Sequence, residues 1–125
     1  MTPFSGRAQQ SVRGLATRLG IGLLPGDARN PCFRFDSGCA FTLTPVAEGS
    51  RIIASLIFRP RSSIETIQER LFDQADREWQ EGRLLQPGIT PQHEIVLAVS
   101  IDDETMSVQL LDDVLRRLLE LRAGL

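Results

Sequence analysis

Hydrophobic and polar positions follow a helical spacing near the start of the chain. Residues four, three and four positions apart lie on one side of a helix, and Gly20, which follows the stripe, is typical of a helix end. The pattern predicts an amphipathic helix over residues 7–20. Its apolar stripe consists of Ala8, Val12, Leu15 and Leu19.

The spacing changes to a period of two in the stretch PCFRFDSGCAFTL, residues 31–43, which predicts two short strands. A two-residue Ser37-Gly38 turn would place Arg34 opposite Phe41 and bury a charge. A three-residue loop, residues 36–38, instead places Phe33 opposite Phe41 and keeps the apolar side chains on one face. We therefore expect a β-hairpin with Gly38 in the left-handed conformation that such loops favour.

The same register predicts the environment of the two cysteines. Cys39 lies opposite Phe35 and points into the core, whereas Cys32 points to the other face of the hairpin. Cysteines on opposite faces cannot form a disulfide, because their Cβ atoms must lie within about 4.5 Å. We expect both thiols to be structural and unpaired.

A third strand is predicted in RIIASLIFRP, residues 51–60, and Pro60 ends it. One face carries Ile52, Ala54, Leu56 and Phe58. The other face is mixed, with two isoleucines between two arginines: Arg51, Ile53, Ser55, Ile57 and Arg59.

A second helix of about twenty residues is predicted to begin at Ser62, because Ser62 and Glu65 have the spacing of a capping box. Its end is expected at Gly82. Its apolar stripe consists of Ile64, Ile67, Leu71, Ala75 and Trp79.

The last third of the chain predicts a loop over residues 83–92 and a strand over residues 93–101. This strand is apolar on both faces, so Val96 and Ala98 need cover as well. The turn DDET then leads to a fifth strand in which Met106 lies opposite Ile101, and residues 110–125 form a final helix. The element order is α-β-β-β-α-β-β-α, which indicates an α+β two-layer sandwich with a twisted antiparallel sheet, in one domain over residues 1–125.

Composition and charge narrow the functional classes. The 125 residues are 42% hydrophobic and 24% charged, with a net charge of −2. No apolar run approaches the ~18 residues that span a membrane, and no secretory signal is evident, so we expect a cytoplasmic protein.

The charge is distributed unevenly along the chain. Residues 1–62 carry eight Arg and three acidic residues, net +5, and residues 63–125 carry six Arg and thirteen acidic residues, net −7. Such a split can mark an interaction surface. Arginine is not clustered with stacking aromatics, so nucleic acid is not an expected partner.

Candidate chemistry is sparse. A nucleophilic Ser37 or Cys39 needs a histidine base, and the only histidine, His93, lies far along the chain. One histidine and two cysteines cannot complete a zinc site. We expect no catalytic residue, no metal and no cofactor.

The chain resembles the class I type III secretion chaperones of Gram-negative bacteria. The resemblance rests on the element order, on the ending RLGIGLLPG of the first helix, on the hairpin CFRFDSGCAFTL and on the acidic, leucine-rich end VQLLDDVLRRLLELRAGL. It implies a homodimer in the bacterial cytoplasm that performs no chemistry. It also implies that the dimer binds the N-terminal segment of a secreted effector, keeps it secretion-competent and delivers it to the secretion apparatus, whose ATPase is a further candidate partner.

Two sets of residues are candidates for these contacts. The effector-binding set comprises apolar groups of the first helix and the mixed face of the third strand: Val12, Leu15, Leu19, Arg51, Ile53, Ile57 and Arg59. The alternative is that the first helix simply covers Ile53 and Ile57. The dimer-interface set comprises Ile64, Ile67, Leu71, Val96 and Ala98.

Two other functional classes stay open at this stage. One is a non-enzymatic regulator or adaptor of similar α+β fold, which would dimerise without capturing an unfolded segment. The other is a small enzyme that uses Cys39 or His93.

Overall fold

The structure, a computed structural model, describes residues 4–21, 31–75 and 85–125. The helices and strands within these residues are α1 (Gly6–Leu19), β1 (Cys32–Arg34), β2 (Ala40–Val46), β3 (Arg51–Phe58), α2 (Ile64–Ala75), β4 (Leu85–Ile89), β5 (Ile95–Asp102) and α3 (Val108–Ala123). The α+β class and the element order predicted from the sequence are confirmed.

The five strands form one antiparallel sheet in the order β1-β2-β3-β5-β4. β3 and β5 are the long central pair, in register from Arg51 opposite Asp102 to Phe58 opposite Ile95. β1 and β4 lie at the two edges. The two chain neighbours β3 and β4 are therefore separated in space by β5, which is inserted between them.

Side chains on one face of the sheet build the core, because alternate residues of β3 and β5 are buried. Buried apolar residues of all three helices join the same cluster: Ala8, Val12 and Leu15 of α1, Ile67 and Leu71 of α2, and Leu111, Val114, Leu115 and Leu118 of α3. The helices thus form one layer and the sheet the other.

Both terminal helices are fixed at their ends and to each other. Ser5 caps α1 by accepting a hydrogen bond from the backbone N–H of Ala8 at 3.1 Å, and Gly20 ends it at φ 70°. The buried Asp112 of α3 lies 3.5 Å from the guanidinium of Arg18 in α1 and 3.2 Å from that of Arg116. A buried carboxylate is tolerated here because two cations compensate it.

The predicted hairpin is confirmed in its register and loop. Phe33 lies opposite Phe41, and the N–H of Phe35 donates to the carbonyl of Cys39 at 3.0 Å. Gly38 adopts φ 89°, the left-handed conformation expected for it. Cys39 is buried and Cys32 exposed, and both thiols are free.

The strand predicted over residues 93–101 is confirmed as β5, but the strand predicted after the DDET turn is wrong, because Ile101 pairs with Ile52 of β3 and not with Met106. A strand that the sequence analysis did not predict precedes β5. Residues 85–89, predicted as part of a loop, form β4, where Pro87 is tolerated because an edge strand needs only one partner. Residues from Val108 onward, predicted to begin within a strand, already belong to α3, because the hydroxyl of Ser107 accepts the N–H of Leu110 at 3.0 Å and caps the helix.

The start of α2 also differs from the prediction by one residue. The hydroxyl of Ser63, not that of Ser62, accepts the backbone N–H of Thr66, at 3.3 Å. The predicted continuation through Trp79 to Gly82 lies outside the described residues.

The two cysteines provide a test of the hairpin register. Cys39→Ala should lower the free energy of unfolding by about 1–2 kcal/mol, because the substitution removes buried volume at a site that is 1% exposed. Cys32→Ala, at an exposed position of the same hairpin, is the matched control and should change stability little. Urea denaturation of both variants measures the difference. Equal effects of the two substitutions would contradict the register.

Candidate partner-binding surfaces

The sheet face turned away from the helices, called here the open face, is only partly buried. In β3 and β5 the residues that alternate with the core positions all keep partial exposure. The open face comprises Ala40, Thr42, Thr44, Ile53, Ser55, Ile57, Val96, Ala98 and Ser100. Ile53 and Ile57 are therefore not covered by α1, and the alternative in which the first helix buries them is wrong.

The apolar residues of the open face align across strands. Ile57 lies between Ala40 of β2 and Val96 of β5, and Val96 in turn lies opposite Gly88 of β4. Ile53 lies between Thr44 and Ser100. The open face thus has an apolar row at one end and, four residues away along β3, an isoleucine bordered by hydroxyl groups. Apolar pockets beside hydrogen-bonding groups suit an extended polypeptide.

The two arginines that frame the isoleucines in the sequence do not form a pair in space. Arg51 donates from Nη1 to Asp102 at 2.6 Å and from Nε to the hydroxyl of Ser100 at 2.8 Å, so its charge is already matched by the neighbouring strand. Arg59 follows the end of β3 and lines a separate cavity with Phe58. Their positions therefore do not support placing Arg51 and Arg59 in one effector-binding set with Ile53 and Ile57.

The first helix contributes less surface than the sequence suggested. Val12 and Leu15 are buried in the core, at 2% and 0% exposure, because α1 packs on α3. Leu19 is partly buried against the same core. Val12 and Leu15 are therefore unavailable to a partner in this structure, and only Leu19 keeps some exposed surface.

The candidate dimer residues divide into two groups. Ile67 and Leu71 are buried in the core of their own chain, while Ile64, Val96 and Ala98 keep partial exposure. Packing of α2 on the helix side of the sheet explains the difference, since that side holds the core.

An apolar depression that the sequence did not reveal lies between α2 and β4. It is lined by Gln68, Leu71, Pro87, Gly88 and Ile89, with a volume of about 160 Å³. Ile89 is the exposed large hydrophobic residue among the described positions, at 43%. Prediction of residues 83–92 as a loop concealed it. Leu85, Pro87 and Ile89 are spaced two residues apart, as in one face of a strand, and this was the signal for β4. The pair Pro87-Gly88, which is typical of a turn, led to the prediction of a loop instead.

The residues considered for chemistry lie apart from one another. His93 is exposed in the turn between β4 and β5, at φ 62°, and Cys39 is buried 3.0 Å from the hydroxyl of Ser37. Over the described ranges, no three His, Cys, Asp or Glu side chains are grouped so that they could hold a metal ion. None of the described helices is both long and apolar enough to cross a membrane.

Comparison with known proteins gives matches in structure only. Neither protein-family models nor curated protein sequences match this chain. A chain of the HopA1–SchA chaperone–effector complex aligns with a TM-score of 0.68 at 19% identity, over 96% of both chains. The Yersinia pestis type III secretion chaperone SycH in complex with a stable fragment of YscM2 gives 0.69 at 17% identity, over 94% of this chain and 98% of that one. The ExsC–ExsE complex gives 0.69 at 20%, over 94% and 90%.

These alignments cover nearly the whole of each chain, so the present chain shares its complete fold with chains of these complexes. The structural resemblance to type III secretion chaperones that the sequence suggested is confirmed at the level of the fold.

The partial exposure of the open face predicts how strongly a charged substitution there lowers the melting temperature. Ile57→Asp should lower the melting temperature by a few degrees at most, because its carboxylate reaches water on a partly exposed face. Leu56→Asp, the adjacent residue on the core face, should abolish cooperative unfolding, since an unpaired buried carboxylate costs several kcal/mol. Thermal melts followed by circular dichroism measure both. Loss of folding in both variants would show that the open face is core.

Proposed function

We propose that this protein is a cytoplasmic chaperone of a bacterial type III secretion system. It binds an extended N-terminal segment of a secreted effector and keeps that segment secretion-competent until it reaches the secretion apparatus. It acts by binding and performs no chemistry. The secretion ATPase is a second partner at the point of delivery.

The open face is the observation that carries this proposal. It offers Ile57 beside Ala40 in one row and Ile53 between two hydroxyl residues in another. The effector segment lies across these rows with its apolar side chains on the isoleucines. Ordering an unfolded segment costs entropy, so a large contact area is needed, and five adjacent strands provide a broad one. The shared fold with chains of chaperone–effector complexes supports the same role.

The proposed chaperone is a homodimer. Its interface uses the depression between α2 and β4, where Ile89 is exposed, and includes Ile64 on the helix side of the sheet. The β5 residues Val96 and Ala98, on the open face, join this interface around the edge strand β4. An exposed isoleucine beside an apolar depression costs free energy in water, and a second copy would cover it.

Client capture tests the proposed function. The tagged chain is co-expressed with the products of genes adjacent to its own and purified. Wild type should retain one secreted protein through that protein's N-terminal segment. Ile53→Asp and Ile57→Asp should stay folded and lose the client, because a charge replaces the apolar contact. Gln92→Asp, an exposed residue of the turn after β4, is the charge-matched control and should retain it.

Two results would contradict the proposal. A folded wild-type dimer that retains no unfolded segment would favour the regulator or adaptor. Client capture that survives both isoleucine substitutions would place the binding site elsewhere.

The proposed dimer interface predicts which substitution should change the oligomeric state. Ile89→Asp should convert the dimer to a folded monomer, because the exposed position leaves the core intact while the interface gains an uncompensated charge. Gln10→Asp, at an exposed position of α1 outside the proposed interface, should leave the dimer unchanged. Sedimentation velocity at micromolar concentration distinguishes the two. A wild-type chain that sediments as a monomer would exclude the proposed interface.

A further inference from the structure

A cavity of about 110 Å³ lies where the end of β3, the first turns of α2 and the end of α3 meet. It is distinct from the open face and from the depression beside β4. Its floor is apolar, with Phe58 and Ile67 almost fully buried. Three arginines also line the cavity: Arg59, Arg61 and Arg122.

The local sequence explains why two of these arginines act together. Pro60 fixes the backbone after β3 and disfavours a helical conformation at Arg59. In an extended segment, residues two apart point to the same side. Arg59 and Arg61 therefore both line the cavity, one on each side of Pro60, which also contributes to the wall.

The third arginine is held by neutral groups. The guanidinium carbon of Arg122 lies 5.7 Å from the ring centroid of Phe58, and Nη2 donates to the carbonyl of Ser37 at 3.2 Å. Among the ion pairs formed between described residues, none involves Arg59, Arg61 or Arg122. The positive charge around the cavity is thus not matched by a carboxylate within the described part of the chain.

Size and charge together define what fits. An engineered cavity of about 150 Å³ in another protein holds benzene, so 110 Å³ is suited to one aliphatic side chain. Guanidinium groups prefer carboxylates, which they bind through paired, charge-assisted hydrogen bonds. A ligand complementary to the cavity therefore carries an aliphatic side chain and a carboxylate close to each other.

We propose that this cavity binds an acidic peptide segment. A leucine-sized side chain of the segment fills the apolar floor, and one or two carboxylates that follow it in the sequence pair with Arg59 and Arg61. The segment belongs to the effector, and that attribution alone rests on the proposed function. The site gives the chaperone a sequence preference that the apolar open face cannot provide.

The test uses two peptides and the full ¹⁵N-labelled protein. Acetyl-Gly-Ser-Leu-Asp-Glu-Gly-amide should shift the backbone amide signals of Arg59, Arg61 and Ala123 in a saturable manner. The neutral peptide acetyl-Gly-Ser-Leu-Asn-Gln-Gly-amide should bind about tenfold more weakly or not at all, because charge-assisted hydrogen bonds are lost. Replacing leucine by alanine in the acidic peptide should weaken binding as well, since the floor is then left unfilled.

Protein variants locate the effect. The double substitution Arg59→Gln and Arg61→Gln should weaken binding of the acidic peptide by about tenfold, with an unchanged melting temperature because both side chains are exposed. Arg13→Gln with Arg34→Gln removes the same charge from exposed positions elsewhere and should preserve binding.

Equal affinity for the acidic and neutral peptides would overturn the proposal. Equal loss of affinity in the two double variants would also overturn it, because this would indicate a general charge effect. An absence of amide signal shifts for the residues around the cavity would overturn it as well. The titration requires no effector. Peptide binding without client capture would therefore contradict the proposed function and leave the cavity assignment intact. Client capture without peptide binding would contradict the cavity assignment and leave the proposed function intact.

Discussion

The pairing of β3 with β5 is the constraint on which the other parts of this structure depend. Both strands alternate strictly between buried and partly exposed residues, and their register places Leu56 opposite Leu97 and Ala54 opposite Val99 on the core face. A slip by one residue would turn every core side chain outward. Because this pair has one fully apolar face, the helices must all pack there, and the hairpin and β4 can only extend the sheet at its two edges.

A single helical layer leaves the opposite face without cover, and this explains where partners can bind. The residues of that face are neither a second core nor an ordinary polar surface, since Ile53, Ile57 and Val96 are mixed with serine and threonine. Ile57 and Val96 are cross-strand neighbours, although the first belongs to the proposed effector surface and the second to the proposed dimer surface. In the proposed dimer the two surfaces therefore adjoin, and a segment that crosses from β3 to β5 reaches the second protomer.

The sequence predicted those parts of the fold in which spacing and end signals agree. In α1 the apolar stripe and Gly20 indicate the same helix, and in the hairpin only one loop length keeps Phe33 and Phe41 together. The prediction of β4 was wrong because Pro87 and Gly88 signal a loop locally, whereas the edge of a sheet accepts both. Burial of Val12, Leu15, Ile67 and Leu71 also could not be read from the chain, because an apolar stripe does not reveal whether its own core or a partner covers it.

Part of the charge split along the chain is used within the molecule. Arg18 in the basic half lies against Asp112 in the acidic half, Arg51 pairs with Asp102, and Arg7 donates to the carbonyl of Glu104 at 2.9 Å. Opposite charges thus align α1 with α3 and β3 with β5, and the asymmetry seen in the sequence does not by itself mark an interaction surface. Arg59 and Arg61 differ from these residues, because among the described residues they form no ion pair and they lie beside an apolar cavity. A partner that supplies a carboxylate and an aliphatic side chain would complete there, between two chains, the same kind of pairing that the rest of the fold forms within one.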